Sequence, residues 1–458
     1  MSTLMTQPAP TRRPNRRPFV ILLFAFLILV IVIVVRLVLD VATPTAKPVQ
    51  TPARLNTVVR PSQGAVAPNP AAQDAIAQLQ EKLRNNPEDT EGYAELGLAM
   101  LQKVRETADP SLYPQAQTAF DEALKRDPQQ LNAIVGQGVL ALARHDFKGG
   151  LVWAQKAQAL NPYRAQILGI AVDAQVELGQ YDDAINTLQK MIDMRPDLAS
   201  YSRVSYLREL NGDIPGAMAA MQTAINTAQA GTEPWLWTQV QLGNLYFNSG
   251  DLAKADFIYR EALQMRPDYA YAQAGLARVQ AAQGHLKEAT ATYNAVIQRL
   301  PLADMVITLG EWYEVSGNQL AAKQQYDLVN VIQQLNASAG MNVDLELALF
   351  NANHGDKALA EKQARAVYGV RPTILAADTL ARALYQNGKY AEAQTYSEKA
   401  LRLGTRDATF HFHAGMIAAA LGDKVKAREH LNLALTINPN FSLLYAPQAQ
   451  AKLKELGR

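Results

Sequence analysis

Prolines recur along this chain at a fixed interval, and that interval restricts the fold more than any other feature. Pro128, Pro162 and Pro196 lie 34 residues apart, and Pro267 and Pro301 repeat the spacing. Pro87, Pro372 and Pro439 sit in the same local context, after an apolar helical stretch. A period of this length holds two helices of about three turns each plus two short turns. The residues between the prolines follow one skeleton. In 236–269 it reads Leu242-Gly243, Tyr246, Ser249-Gly250-Asp251, Ala255, Tyr259, Ala262-Leu263, Pro267. In 408–441 it reads Ala414-Gly415, Leu421-Gly422-Asp423, Ala427, Leu431, Ala434-Leu435, Pro439. Residues 270–303 and 165–198 carry it more loosely, through Leu276-Ala277, Gly284, Ala289, Tyr293 and Val296, and through Gly179, Ala184 and Leu188.

Each recurring position has a physical reason. The mid-repeat glycines Gly179, Gly212, Gly250, Gly284, Gly317, Gly355, Gly388 and Gly422 are expected in the left-handed conformation that ends a helix. The alanine five residues later predicts a second helix packed closely on the first. The aromatic or leucine four residues further on lies one turn along the same face. Proline after the second helix stops it and redirects the chain.

This set of small residues, aromatics and proline resembles the tetratricopeptide repeat. Ala116, Phe120, Ala123 and Pro128 fit its second helix, and Leu242, Gly243, Tyr246, Ala255, Tyr259, Ala262 and Pro267 fit the whole pattern. The resemblance covers about 90–441, or roughly ten repeats. It implies an all-α, right-handed superhelical solenoid of antiparallel helix pairs. The pattern is interrupted in three places: extra residues around Thr107–Pro110, and no terminal proline near Gln334 or Thr405. Residues 73–87 read as a lone N-terminal capping helix and 442–458 as a C-terminal one, the solenoid proper spanning 73–441. End caps cover the apolar faces that a stack of repeats otherwise leaves bare.

The N-terminus is of another kind. Phe19 to Val35 are seventeen consecutive apolar residues. Extended to Leu39 the stretch makes a helix about 31 Å long, matching a hydrocarbon core of about 30 Å. Its length and the poor site at Val41-Ala42-Thr43-Pro44 favour an uncleaved transmembrane anchor over 19–39 rather than a removed signal peptide. Arg12, Arg13, Arg16 and Arg17 precede it, whereas only Lys47 and Arg54 follow closely. The positive-inside rule therefore puts 1–18 in the cytoplasm and the rest across the inner membrane. Arg16-Arg17 is a weak twin-arginine match ahead of too hydrophobic a core. Residues 40–72 hold Pro44, Pro48, Pro52, Pro61, Pro68 and Pro70 and read as a semi-extended linker.

Charge divides the same way. The formal +2 of the 458 residues conceals a net +7 in residues 1–72, from eight basic residues and one acid, and a net −5 in the remainder. A mildly acidic array is a poor binder of nucleic acid. Cysteine is absent, which excludes thiol catalysis, disulfides and thiolate metal sites.

No sequence motif points to chemistry. His145, His285 and His354 fall at turns and are expected on the surface. His411 and His413 are two apart, so they face different sides of a helix, and His430 stands alone. No phosphate-binding glycine loop, zinc-protease motif or nucleophile elbow occurs, so neither enzyme activity nor any cofactor or metal is expected. The resemblance implies binding on a concave face lined by first helices. Its register puts Tyr206, Trp237, Asn244, Phe247, Asn248, Tyr271, Arg278, Glu311, Glu314, Asp378 and Arg382 there. Asn244 and Asn248, four apart, suit the backbone of an extended peptide. The competing role for Trp237 and Phe247 is packing between repeats. Some relatives clamp a terminal carboxylate with Lys and Asn at fixed first-helix places, and that set is not found in order here. Three roles follow: a membrane-anchored scaffold of the cell envelope for a protein or extended peptide, a chaperone-like holder of unfolded clients in secretion or cytochrome maturation, and a polysaccharide-export accessory or glycan binder.

Overall fold

In the computed structural model, residues 72–457 are described, and they form 22 helices with no strand. The expected transmembrane helix, basic tail and most of the linker lie outside them. Among the described residues, no helix is long and apolar enough to cross a membrane.

A lone helix, α1 (Ala72–Asn85), precedes ten helix pairs. Pairs one to four are α2 (Thr90–Thr107) with α3 (Leu112–Arg126), α4 (Leu131–Ala143) with α5 (Phe147–Leu160), α6 (Ala165–Glu177) with α7 (Tyr181–Met194), and α8 (Leu198–Leu210) with α9 (Ile214–Asn226). Pairs five to seven are α10 (Glu233–Asn248) with α11 (Leu252–Met265), α12 (Ala270–Ala282) with α13 (Leu286–Ile297), and α14 (Ala303–Val315) with α15 (Gln319–Ser338). Pairs eight to ten are α16 (Asp344–His354) with α17 (Lys357–Val370), α18 (Ile374–Gln386) with α19 (Tyr390–Ala400), and α20 (Ala408–Ala420) with α21 (Lys424–Ile437). A last helix, α22 (Ala446–Leu456), packs against Phe412 and Tyr445.

The repeat skeleton is visible as packing. The second-helix alanines Ala184, Ala217, Ala255, Ala289, Ala360, Ala393 and Ala427 have no exposed surface. The Tyr259 ring lies between Gly243 of its own pair and Gly275 of the next; a Cβ at either glycine would come within 2.4 Å of it. Phe120 is held in the same way between Gly97 and Gly136. The residue after each mid-repeat turn starts the second helix. Asp213, Asp251, Asn318, Asp356 and Asp423 accept hydrogen bonds from backbone N–H groups of the first turn.

Local departures have local causes. Gly179 and six other mid-repeat glycines have positive φ, as expected, but Gly355 does not, at φ −131°. Its turn is closed instead by the Asp356 cap, which accepts from two backbone N–H groups. In pair two, His145 takes the left-handed place at φ 60°. Where proline is missing near Gln334, α15 runs on to Ser338 and reaches 20 residues. The extra residues of pair one lengthen α2 to 18 residues, which ends at left-handed Ala108.

First and second helices differ sharply in burial. Helix α4 buries ten of its 13 residues, whereas α5 buries four of 14. The first helices therefore form an inner layer and the second an outer one. The array also meets itself. The turn within pair two touches the link after pair seven: His145 Nδ1 lies 2.8 Å from the Asn342 carbonyl, and Asn342 N donates to the Arg144 carbonyl. Arg371, after pair eight, reaches Glu177 Oε2 in pair three at 2.6 Å. Asn438, after pair ten, donates to the Phe247 carbonyl in pair five at 2.9 Å. The separations are 197, 194 and 191 residues. One superhelical turn is thus complete within about six repeats, and the next turn stacks on it.

Candidate partner-binding surface

All eleven sequence-derived surface residues lie on first helices: Tyr206 on α8, Trp237, Asn244, Phe247 and Asn248 on α10, Tyr271 and Arg278 on α12, Glu311 and Glu314 on α14, Asp378 and Arg382 on α18. The inner layer brings them onto one face, but many are already engaged. Trp237 and Phe247 are buried, at 8% and 3% exposure. The Arg278 guanidinium lies 3.9 Å over the Phe247 ring. Asn244 Oδ1 accepts from Tyr259 at 2.6 Å, so this amide oxygen is committed within its own repeat. Asn248 is half-buried beside it.

Several of the charged residues form rungs between adjacent first helices. Glu311 meets His354 at 3.1 Å, Arg382 donates to Asn353 at 2.8 Å, and Asp378 meets His413 at 2.9 Å. Glu314 instead accepts from Tyr326 of its own pair at 2.8 Å. A further rung, Arg203 to Asp173 at 2.6 Å, escapes the sequence reading because neither residue type is distinctive there.

Three expectations for histidine are corrected. The His354 side chain is buried, at 5% exposure, stacked on Tyr326 and paired with Glu311. His430 is not alone: its Nδ1 lies 3.1 Å from His411 Nδ1 across the last pair. Burial and His430 push the His411 imidazole down to about 4. His145 is also only partly exposed, because it faces Asn342 across the superhelical turn. Among the described residues, no group of three His, Asp or Glu is placed to hold a metal.

Pair one meets the inner face of pairs five and six. The Tyr271 hydroxyl donates to the Arg105 carbonyl at 2.9 Å. Around this contact lie Tyr113, Glu233 and Asp304, which first-helix register did not single out. Burial raises the Glu233 carboxyl, with Arg105 opposing, and raises Asp304 to about 7. Burial lowers the Arg278 guanidinium. Arg105 Nε, Arg278 Nη1 and Asp304 Oδ2 are buried without a hydrogen-bond partner. This face therefore carries donors and an acceptor that its own fold leaves unused.

Comparison with known proteins fixes the family. One tetratricopeptide repeat model matches residues 111–165, 171–234 and 379–440, and a second matches 246–305, together more than half of the chain. The chain belongs to the tetratricopeptide repeat family. It is similar to human tetratricopeptide repeat protein 13, at 24% identity over 163 residues, which is 34% of this chain and 18% of the human protein. The tetratricopeptide repeat chain thus spans less than a fifth of that relative's length. Similar solved structures include the APC/C hetero-tetramer Cut9-Hcn1, at 16% identity and TM-score 0.40 over 85% of this chain and 82% of the other. They also include a thermophilic tetratricopeptide repeat protein of Thermus thermophilus, at 20% identity and TM-score 0.38 over 42% of this chain and 99% of that one.

Proposed function

We propose that this tetratricopeptide repeat protein is a membrane-anchored, non-enzymatic scaffold of the cell envelope that holds a protein partner, as an extended segment, on the inner face of its array. The observation that carries the reading is the unused polar set on that face: Arg278 Nη1, Arg105 Nε and Asp304 Oδ2. A peptide backbone supplies both acceptors and donors to such groups. The anchor rests on the apolar stretch Phe19–Val35 and the orientation on the four preceding arginines.

A photo-crosslinking residue at Tyr206, on the inner layer, should capture a defined protein from intact membranes. The same residue at Phe257, 60% exposed on outer helix α11, should not. Equal capture at both places overturns the inner-face assignment. For topology, a cysteine at Gly457 should react with an impermeant thiol reagent on spheroplasts; labelling only after lysis overturns the envelope assignment.

The chaperone-like reading has one observation in its favour. Val152, Phe257 and Met265 on outer helices, and Tyr163 in the link after α5, expose 51–85% of their surface, and a holder of unfolded clients displays such residues. That reading predicts capture at Phe257 of many client proteins rather than none.

A further inference from the structure

Pairs one to five are each tied to the superhelical turn that follows. In pairs two to five, residues around the turn inside the pair face the link that follows the pair five places later. Arg144 and His145 of pair two hold Asn342. In pair three, Glu177 accepts from Arg371, and Tyr181 accepts from the Ile374 N–H. In pair four a Cβ on Gly212 would clash with the Gly404 carbonyl, and in pair five the Phe247 carbonyl accepts from Asn438. Pair one reaches pair six through Arg105 and Tyr271.

Apolar packing fills the seam between these ties. One buried cluster runs from Tyr181, Leu207 and Leu210 in pairs three and four to Ile374, Ala377 and Phe410 in pairs nine and ten. Another joins Ala339, in the link after pair seven, to the core of pairs one to three. The Arg371 guanidinium lies 4.3 Å over the Phe147 ring. Continuous apolar burial is what holds a domain core together, so the two turns form one wall. Packed helices sit about 8–10 Å apart, and one tie falls in every pair. A gap between neighbouring ties is therefore a single repeat wide, and along pairs one to four the clusters fill it.

The inner layer nevertheless keeps contact with solvent. Gln241 on α10, and Asp304, Thr308 and Glu311 on α14, are each half-buried. Thr308 lies one turn beyond Asp304 on the same helix face, and Gln241 lies one turn beyond Trp237. With the turns joined at the side, the way to these residues runs along the superhelix axis.

We propose that the inner face is a channel entered from its ends, and that the partner segment it holds is a free chain terminus, threaded in extended form. This deepens the scaffold reading and rests on its inner-face assignment. A terminus passes end-on as one strand, about 5 Å by 10 Å in section. An internal loop doubles that section and brings its folded parent against the channel mouth.

The chain has no cysteine, so engineered ones are unique. Thr308→Cys and Gln241→Cys place a thiol on the inner layer of the full chain, and Phe257→Cys places one on the outer layer. Two polyethylene glycol probes of equal length are compared. One carries a maleimide at its end. The other carries the maleimide at its midpoint and a folded globular protein at each end. Phe257→Cys should react with both at similar rates. The inner thiols should react with the first probe and at least tenfold more slowly with the second. Either inner variant suffices should the other fail to fold by circular dichroism. An end-blocked probe that reaches the inner thiols as readily as it reaches Phe257→Cys overturns threading and leaves the scaffold reading standing. Reaction of the inner thiols with neither probe overturns both.

Discussion

Tyr271 donates its hydroxyl to the main-chain carbonyl of Arg105 at 2.9 Å, across 166 residues of sequence. That bond joins the first helices of pairs six and one, which no nearest-neighbour stack brings together. Tyr271→Phe keeps the ring and removes only the donor. The expected loss is about 0.5–1.5 kcal/mol, read as a lower urea midpoint together with faster amide exchange in α2. Unchanged exchange in α2 would show that the contact holds nothing closed.

Glycine positions in the array separate into two kinds. Gly243→Ala drives a methyl into the Tyr259 ring, whose edge lies 2.4 Å from the Cβ position. The ring is wedged between two helices and fully buried, so overpacking should cost about 1–3 kcal/mol. Gly369→Ala, in α17 with nothing within 4 Å, should stabilise by up to about 1 kcal/mol. Thermal melts of the two variants should move in opposite directions, and equal shifts contradict the packing account.

Buried Asp304 makes stability depend on pH. Burial raises its carboxyl from 3.8 to about 7 in the folded chain. Backbone hydrogen bonds and Arg278 oppose the rise, while Glu346 adds to it. The folded state thus binds the proton more tightly than the unfolded one. Its stabilisation is full below about pH 4 and is lost as pH rises through about 7. Asp304→Asn keeps an acceptor and cannot ionise. It should match the parent at about pH 3.5 and exceed it at pH 8 in urea midpoint. A parallel loss at both values would contradict the assignment.

His411 has the opposite sign. Its imidazole is pushed down to about 4, so the folded state resists protonation. Its contribution is full above the ordinary 6.5 and is lost as pH falls through that value towards 4. An NMR titration of the His411 ring should give a midpoint near 4 in the parent. With His430→Gln, which removes the neighbouring charge, the midpoint should move up. A midpoint of 6.5 in the parent would mean the pair is open to water.

Arg203 and Asp173 form a buried ion pair between the first helices of pairs three and four, with 3% and 13% side-chain exposure. Arg203→Met leaves the carboxylate buried without its partner and should cost about 3–5 kcal/mol. Lys323→Ala breaks a pair that is 71% and 62% exposed and should cost under about 1 kcal/mol. Comparable losses would mean that burial does not rank these pairs.

The helix pairs are legible in the sequence because each depends on neighbours along the chain. Ala255 and Tyr259 meet Gly243 within one 34-residue period, so spacing alone reveals the contact. The inner face is legible only as a set of first-helix residues. Whether Trp237 is open or buried depends on superhelical pitch, and pitch is the sum of small rotations at every repeat interface. No single residue encodes it. His411 and His430, nineteen apart on opposite helices of one pair, escape a search for ligands along one helix. Asp304 and Glu233 look like ordinary helix-start acids. Glu233 faces Arg105 of pair one, a contact that no local register predicts.

If the inner layer holds a protein partner, capture must depend on which layer carries the crosslinker. The measurement is the yield of a defined protein captured from intact membranes by a photo-crosslinker at Tyr206 on α8 and, in parallel, at exposed Phe257 on α11. Strong capture at Tyr206 with none at Phe257 is the predicted result. Equal capture at both places would contradict the account.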